Sequence, residues 1–458
     1  MTSGGVVPSS AVASPRARVA SARSRGLVAG LPLLLVASIG LVTITVGRVH
    51  ELLPSLTGSL PLGKVFVALG LLALVLGADT RQRLRAYGTR HGRLLLGAGA
   101  AMVVSIPFSI YVGGSVSYAL GILPQSAAIG LVLTAAATSS SHLEALMRAL
   151  VLALALMGNA LLLGMGQAIR DTHGLRYSIS LMYDPNDVAL LAVVTLPFAV
   201  MVTRDRGWFW RIMGMLAISG IVAIVLKSQS RGGLITLVVT TLPLLLSRRS
   251  PIPAWARATC AVLSLSAVTL LPREYLERAS TIFNPSKDYN TTAENGRLAL
   301  AKRALGHIAT HPITGVGFGQ FPTAEGQWAR RNLRERGFMW MQAHNMYLQA
   351  ATEIGLPGAA ALFSVLVLNV RLGRRARRLR RRGVITKADV ERAAALSRST
   401  MAFLVGGLFL SAAFSPLMVL LTALGLGYSQ YLAVRIREHG ETLVPPERTA
   451  AGSRRRAA

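Results

Sequence analysis

The chain is short of cysteine, of acidic residues and of charge in general. One of its 458 residues is a cysteine, 19 are aspartate or glutamate, and 15% are charged. The single thiol, Cys260, permits no intramolecular disulfide and no metal site built from several thiolates. Soluble globular domains have about 25% charged residues, and the hydrophobic share here is 52%. A soluble globular domain is therefore excluded.

In place of charge the chain has a series of long apolar runs. A run of about 18 or more residues can cross the hydrocarbon core of a membrane. Unbroken runs of this kind predict helices, because barrel strands would alternate polar and apolar side chains. The sequence therefore predicts an all-α polytopic membrane protein with about twelve transmembrane helices. The expected spans are 27–46, 62–78, 94–113, 119–138, 146–166, 187–203, 208–226, 232–247, 254–271, 345–370, 399–414 and 416–434.

One long polar segment interrupts these spans and predicts a large, partly helical extracytoplasmic loop. A loop of this size is translocated largely regardless of its own charge. The chain is thus expected to have five parts. They are a disordered basic tail at 1–26, transmembrane helices 1–9 at 27–271, the large loop at 272–344, helices 10–12 at 345–436 with a basic cytoplasmic loop at 371–398, and a cytoplasmic tail at 437–458.

Basic residues outnumber acidic residues 49 to 19, and their positions follow the predicted topology. In a soluble chain a net charge of +30 would indicate nucleic-acid binding. Here most Arg-rich segments fall on one side when the loops alternate, as cytoplasmic loops do. The run at 373–382 is expected to set orientation and to hold anionic headgroups. We therefore expect a multi-pass protein of the cytoplasmic membrane with both termini inside and no nucleic-acid partner.

Two polar clusters lie at outward helix ends before the long loop. In the first, Asn186 or Asp187 is a natural N-cap for the next span, and the alternative to capping is a substrate contact. The second contains Ser230, Arg231 and Gly232. Arg231 is either an interfacial anchor or an anion ligand. The hydroxyl and the glycine beside the guanidinium favour anion binding.

The long loop has its own pattern. Residues 298–309 predict a helix with apolar side chains on one face. His307 and His311 are four residues apart, but Pro312 ends the helix there and the acidic residue of a zinc-protease motif is missing. The glycine-rich turn at 313–319 follows a helix, which distinguishes it from a dinucleotide fingerprint. No metal ion or other cofactor is expected.

A further polar group opens the span that follows the loop. His344 and Asn345 begin this span, and Glu353 lies deeper within it. A carboxylate inside the bilayer is costly unless it is paired. Glu353 is therefore either a structural residue, paired with an Arg from another span, or a substrate contact, and the sequence leaves both open.

Together these motifs resemble those of the O-antigen ligase/polymerase family of membrane glycosyltransferases. The resemblance covers residues 180–370. Three motifs in this order on one face of the membrane are more specific than any one of them. The motifs are Ser230-Arg231-Gly-Gly, Asn295-Gly-Arg297…His311-Pro-x-x-Gly-x-Gly-x-Gly319 and His344-Asn345…Glu353-x-Gly-x-x-Gly358.

The resemblance implies transfer of a saccharide from a polyprenyl-diphosphate carrier to an acceptor hydroxyl, without a metal, at the outer face of the cytoplasmic membrane. The acceptor would be a glycan, a glycolipid or another hydroxyl compound, and the pathway would be cell-surface polysaccharide biosynthesis. Arg231 and Arg297 are implied as diphosphate contacts and His344 as the catalytic base. The expected substrate-binding residues are Asn186, Asp187, Ser230, Gly232, Asn345 and Glu353.

The chemistry of these residues suits such a transfer independently of the resemblance. No Asp-x-Asp pair lies in the segments expected outside, so fixed cations must stabilise a diphosphate leaving group. Arginine does this well because its planar fork pairs with two phosphate oxygens and stays protonated. Histidine is the usual proton acceptor near neutral pH. We therefore expect direct displacement at the anomeric carbon, with inversion.

Two other function classes are compatible with a chain of many spans. A transporter or flippase of a lipid-linked or anionic solute would have two related halves with broken spans and an ion site near the midplane. The sequence shows no such symmetry. A non-catalytic scaffold would not need Arg231, Arg297 and His344 together.

Overall fold

The computed structural model describes residues 33–52, 60–165, 167–171, 174–178, 184–246, 280, 292–294, 296–332 and 341–442. These residues are mostly helical. In chain order the helices are α1 (Leu33–Val46), α2 (Leu62–Leu76), α3 (Thr80–Leu84), α4 (Arg90–Ser105), α5 (Val112–Ala136), α6 (Ser140–Leu162), α7 (Pro185–Val202), α8 (Trp208–Ser228), α9 (Arg231–Leu246), α10 (Arg297–Thr310), α11 (Phe321–Asn332), α12 (Met346–Arg381), α13 (Lys387–Gly406) and α14 (Pro416–Thr442). The strands are β1 (Gln167–Asp171) and β2 (Gly174–Ser178).

Six helices in the described part are long and apolar enough to cross a membrane, namely α5, α6, α7, α8, α12 and α14. A seventh span is possible if α2 is joined to Thr80–Gly88, although the chain bends by 109° between them. A multi-pass membrane protein is therefore confirmed. Helices α1, α4, α9 and α13 also lie at expected spans but are shorter or more polar. The count of twelve and the five-part division stay predictions, and the span expected at 254–271 lies outside the described residues, as does the tail at 1–26.

The boundary between the third and fourth expected spans was misplaced. The sequence predicts spans at 94–113 and 119–138, whereas α4 ends at Ser105 and α5 begins at Val112. Pro107 lies in the break. Proline has no N–H to continue a helical hydrogen-bond ladder, so it favours a break at this point.

The all-α expectation is wrong at one place, where β1 and β2 form an antiparallel hairpin. Gln167 is paired with Ser178, and Asp171 is paired with Gly174. Arg176 and Ser178 are buried, while Tyr177 between them is partly exposed, as the two-residue period of a strand requires. The hairpin positions a buried arginine near the outward ends of α7 and α8 (see below).

The core of the bundle is formed where α6, α7 and α8 pack together. Gly158 of α6 faces Gly220 of α8, and a Cβ on Gly158 would lie 2.3 Å from the Gly220 Cα atom. Small residues of this kind let two membrane helices approach closely enough for van der Waals contact along their backbones. A side chain added at the α6–α8 contact therefore tests this packing directly.

Replacing Gly158 by alanine is expected to lower the free energy of unfolding by about 1–3 kcal/mol, because the added methyl group overpacks this contact. The matched control is Gly97→Ala, since Gly97 is exposed on α4 and nothing lies within 4 Å of a Cβ there. That change should be neutral or stabilising by up to about 1 kcal/mol. Thermal unfolding of the detergent-purified protein checks both, and equal midpoints for the two variants would contradict the packing.

Candidate active site

His344 is held at the start of α12 in an unusual backbone conformation. Its φ of 48° lies in the left-handed region, and its amide donates a 2.8 Å hydrogen bond to Ser411 Oγ. Asn345 follows as the N-cap of α12, where its Oδ1 accepts from the amides of Tyr347 and Leu348. A left-handed residue costs of order 1–3 kcal/mol and persists only where the surroundings fix it. The imidazole is therefore attached to a backbone with little freedom.

Arg231 is the first residue of α9 and follows a turn of two residues after α8. The first of these, Gln229, is also left-handed (φ 50°), and the second, Ser230, caps α9 by accepting from the amide of Gly233 at 3.1 Å. A Cβ at Gly232 would lie 2.7 Å from Phe409 Cβ. The structure thus gives Ser230 a capping role and Gly232 a packing role, while contact of either with a substrate stays a prediction.

The turn after α13, residues 407–411, joins the starts of α9 and α12, and we call it the bridging turn. Met346 donates its amide to Gly407 O at 2.8 Å, and Asn345 Nδ2 donates to Leu408 O at 3.2 Å. The next residue, Phe409, packs on Gly232 beside Arg231. His344 is bound to the last residue of the same turn. The segments that begin α9 and α12, which carry Arg231 and His344, therefore contact the same five-residue turn.

Arg297, the first residue of α10, is brought near His344 by packing. Leu300 and Ala304 lie three and seven residues further on, so they share a helix face with it. Both are buried in a small cluster with Ala343, the residue before His344. The side chain of Arg297 is also close enough to His344 for its charge to act on the imidazole.

The surroundings of His344 keep its imidazole neutral. Burial lowers the pKa of His344 below the ordinary value, and the positive charge of Arg297 lowers it further. The carboxylate of Asp184 acts in the opposite direction with a smaller effect. At neutral pH the ring is therefore in its basic form and can accept a proton.

The segment that carries these three residues also has a recognisable family pattern. Residues 215–363 match the O-antigen ligase family model. The match supports membership of the chain in that family and confirms the resemblance seen in the motifs. It includes Arg231, Arg297 and His344, whereas Asn186 and Asp187 precede it. No curated protein matches the chain.

The O-antigen ligase match begins after α7, whose start lies beside the site. The expected caps of α7, Asn186 or Asp187, are wrong, since the helix begins at Pro185 and its N-cap lies two residues before Asn186. Asp184 is the N-cap and accepts from the amides of Asn186 at 2.6 Å and Asp187 at 2.9 Å. Proline is favoured at the first helical position because its missing N–H would have no partner there. The role of Asn186 and Asp187 as substrate contacts stays a prediction.

Arg176 is a site residue that the sequence analysis missed. This buried side chain of β2 donates from Nε to Ser228 O at 2.9 Å and from Nη2 to Asn186 Oδ1 at 3.0 Å. It therefore ties the end of α8, three residues before Arg231, to the start of α7. The alternation of apolar and polar residues at Leu175–Ser178 is the signal that could have revealed the strand that positions it.

Glu353 holds the glycine loop, residues 312–320, onto α12. Its Oε2 accepts from the amide of Gly319 at 2.8 Å, and the residue is 1% exposed. Val316 donates to Thr352 O at 2.7 Å beside it. Of the two interpretations left open for Glu353, the structure supports the structural one. Its recorded partners in the described part of the chain do not include the arginine that the sequence analysis expected.

The glycines of this loop are required by its path. Gly315, Gly317 and Gly319 all have positive φ, which side chains with a Cβ rarely adopt. A Cβ on Gly315 would also lie 2.5 Å from the carbonyl carbon of Glu353. The loop therefore lies directly on the broken turn of α12, at Gly355, and these glycines serve that contact.

The two histidines considered for a metal site lie in different surroundings. His311 Nδ1 is 2.9 Å from Thr310 Oγ1, whereas His307 Nε2 is 3.7 Å from Glu325 Oε1, beyond hydrogen-bond distance. Glu325 is fully buried and bridges to Arg303 at 2.6 Å, which joins α11 to α10. Within the described ranges no group of three or more potential metal ligands is found.

Replacing Glu353 by alanine is expected to loosen the glycine loop, because the Gly319 amide would be left buried without its acceptor. The loss is about 1–3 kcal/mol of local stability. Hydrogen exchange of residues 312–320 is the measurement, and it should accelerate by roughly ten- to a hundred-fold. The control is Glu438→Ala, an exposed carboxylate paired with Arg435 at 2.7 Å. Unchanged exchange in the loop would show that Glu353 does not hold it.

Proposed function

We propose that the chain is an inverting, metal-independent glycosyltransferase of the O-antigen ligase/polymerase type, which moves a saccharide from a polyprenyl diphosphate to an acceptor hydroxyl. The observation that carries this proposal is that Arg297 lies near His344, and that the bridging turn contacts both His344 and Gly232, the neighbour of Arg231. The family match supports the broader role in polysaccharide synthesis. The reaction would take place at the outer face of the cytoplasmic membrane, with both termini inside.

In the proposed reaction the two arginines hold the diphosphate of the donor. The bond between the anomeric carbon and the diphosphate oxygen breaks, and both electrons leave with that oxygen. The guanidinium groups of Arg231 and Arg297 stabilise the charge that develops there, since each can donate two parallel hydrogen bonds to phosphate. Preorganised charge of this kind contributes most where water is excluded.

His344 accepts the proton of the acceptor hydroxyl as its oxygen attacks the anomeric carbon from the opposite side. A base must be unprotonated to do this, and the burial of His344 beside Arg297 favours that form. Attack opposite to the leaving group inverts the configuration at the sugar. The proton remains on the imidazole until it passes to solvent or to the released diphosphate.

A mostly apolar cavity of about 490 Å³ supports a lipid-linked donor. It is lined by Leu95 of α4, Ile122 of α5 and Val419 of α14, and it reaches Phe318 of the glycine loop and Phe414. Phe414 is three residues beyond the serine that binds the His344 amide. A prenyl chain in this cavity would leave its diphosphate near the bridging turn.

Replacing Arg231 or His344 by alanine is expected to lower glycan transfer by about 10²–10⁴-fold, because a charge-stabilising donor or the base is lost. Arg231→Lys should retain part of the activity, since it keeps the charge but not the bidentate fork. The assay is formation of a new glycosidic product in vesicles that contain a lipid-linked oligosaccharide and an acceptor.

The matched control for these variants is Lys302→Ala, which removes an exposed cation from α10. Full transfer by a correctly inserted His344→Ala protein would refute the assignment of the base. Movement of unchanged lipid across the vesicle membrane, with no new glycosidic bond, would instead identify a transporter or flippase.

The pH dependence of transfer provides a separate test of His344. Because its pKa is lowered, the acidic limb of the kcat/KM profile should lie below the value of about 6.5 for ordinary histidine. Removing the charge in Arg297→Gln takes away one cause of that shift, so the limb should move to higher pH. Arg330→Gln, an exposed change on α11, should leave the limb in place. A limb that is the same in all three proteins would contradict the coupling.

A further inference from the structure

A second pocket, of about 240 Å³ and with a charged lining, lies between α7, α12 and α13. Its charged lining comes from the end of α12, from α13 and from the turn after α7. The charged residues are Arg204, Arg377, Arg380, Lys387, Glu391 and Arg398. We call this the basic pocket. Five cations and one carboxylate in so small a space make it strongly electropositive.

The lengths of α12 and α13 bring these residues together. Arg377 and Arg380 are three residues apart on α12 and therefore lie on one face of that helix. Lys387 and Glu391 are four residues apart on α13, and Arg398 lies seven residues further along the same face. The α12 helix continues for 36 residues, which exceeds the length needed to cross a membrane and carries its arginines past the apolar part.

The single carboxylate does not balance the cations. Glu391 lies 3.4 Å from Arg204 and 3.9 Å from Lys387, so it is shared by two of them. In the described part of the chain, Arg377, Arg380 and Arg398 have no recorded ion pair. The half-buried Arg398 is close enough to Arg377 and Arg204 for the like charges to act on it. Such a cluster is unfavourable by itself, and a bound anion would offset the repulsion.

The basic pocket is far from the proposed active site. Arg377 lies 22 residues beyond the break at Gly355, which corresponds to about 33 Å along a helix. That distance matches the thickness of the hydrocarbon core, so the pocket and His344 lie near opposite surfaces of the membrane. An anion bound here cannot be the diphosphate that is held by Arg231 and Arg297.

We propose that the basic pocket binds the phosphate group of an anionic phospholipid headgroup. Guanidinium groups converging from two helices match a phosphate bidentately. The other walls include Pro197, Val200, Met201 and Val390, which offer apolar contact to the upper part of an acyl chain. These walls favour a lipid over free phosphate, which shares only the charged part of the ligand. The assignment does not depend on the proposed transferase activity.

The test is binding of short-chain phosphatidylglycerol to the detergent-purified full chain, measured by native mass spectrometry. The pocket variant is the double change Arg377→Gln with Arg398→Gln. The matched control is Arg374→Gln with Arg378→Gln, which removes two exposed charges from the same run of α12 without touching the lining. The pocket variant should bind roughly twenty-fold more weakly, because each surface cation contributes about fivefold to the affinity. The control variant should bind less than about twofold more weakly.

Further measurements distinguish a lipid phosphate from free phosphate and control for misfolding. Phosphatidylcholine should bind at least about tenfold more weakly than phosphatidylglycerol, because its headgroup has no net charge. Inorganic phosphate that binds in the pocket while phosphatidylglycerol does not would assign the site to a soluble anion and overturn the lipid assignment. If the double variant unfolds, Arg398→Lys with Arg377→Lys should restore folding and most of the binding. Equal weakening in pocket and control variants, or equal binding of both lipids, would overturn the proposal.

Discussion

Backbone groups that leave helical geometry within a membrane protein need partners from the protein, because lipid provides none. The site depends on how α12 meets this requirement at Gly355, where φ is 72°. The glycine loop supplies the partners: Pro312 O accepts from the Leu356 amide at 2.8 Å, and Val316 donates to Thr352 O. Glu353 then fixes Gly319. The backbone groups freed by the break, which would otherwise lack hydrogen-bond partners, thus bind the polar glycine loop.

The bridging turn likewise supplies hydrogen-bond partners at the start of α12, in the part that precedes the break at Gly355. It accepts hydrogen bonds from Met346 and Asn345, and its Ser411 accepts from His344. The first turns of α12 are thus held on one side by the bridging turn and on the other by the glycine loop. Gly232 packs on Phe409 of the bridging turn as well, so the same turn contacts the residue that follows Arg231.

Much of the fold followed from apolar run length, because helices are the economical way to satisfy backbone groups in lipid. Apart from 254–271, every expected span overlaps a helix, although 94–113 and 399–414 run past the ends of α4 and α13. The helix expected at 298–309 is observed as Arg297–Thr310. Helix ends are less predictable, because they depend on local capping. The sequence predicts Asn186 or Asp187 as the N-cap of α7, whereas the structure uses Asp184. It also predicts a span through Pro107, where the structure has a break. The hairpin was missed because five-residue strands leave only a faint alternation.

The candidate site residues could be predicted because charged side chains at the ends of membrane helices cost free energy unless they are paired or bind a ligand. Arg231, Arg297 and His344 stand out in this way; the structure places Arg297 near His344, and the roles of all three stay predictions. Arg176 does not stand out, since its burial depends on a strand that no long pattern indicates. A structural role for Glu353 was among the sequence predictions, but its partner was not, because the backbone amide that it binds has no sequence signature.

The same positive charge has two effects in the proposed reaction. In the free protein Arg297 lowers the pKa of His344, which keeps the base unprotonated. When a diphosphate binds to Arg231 and Arg297, its negative charge neutralises that effect, and the pKa of His344 must rise toward its ordinary value. A base with a higher pKa is a stronger proton acceptor. A bound diphosphate would therefore strengthen the base for as long as it occupies the site, and its departure would return the imidazole to the neutral state from which the next cycle begins.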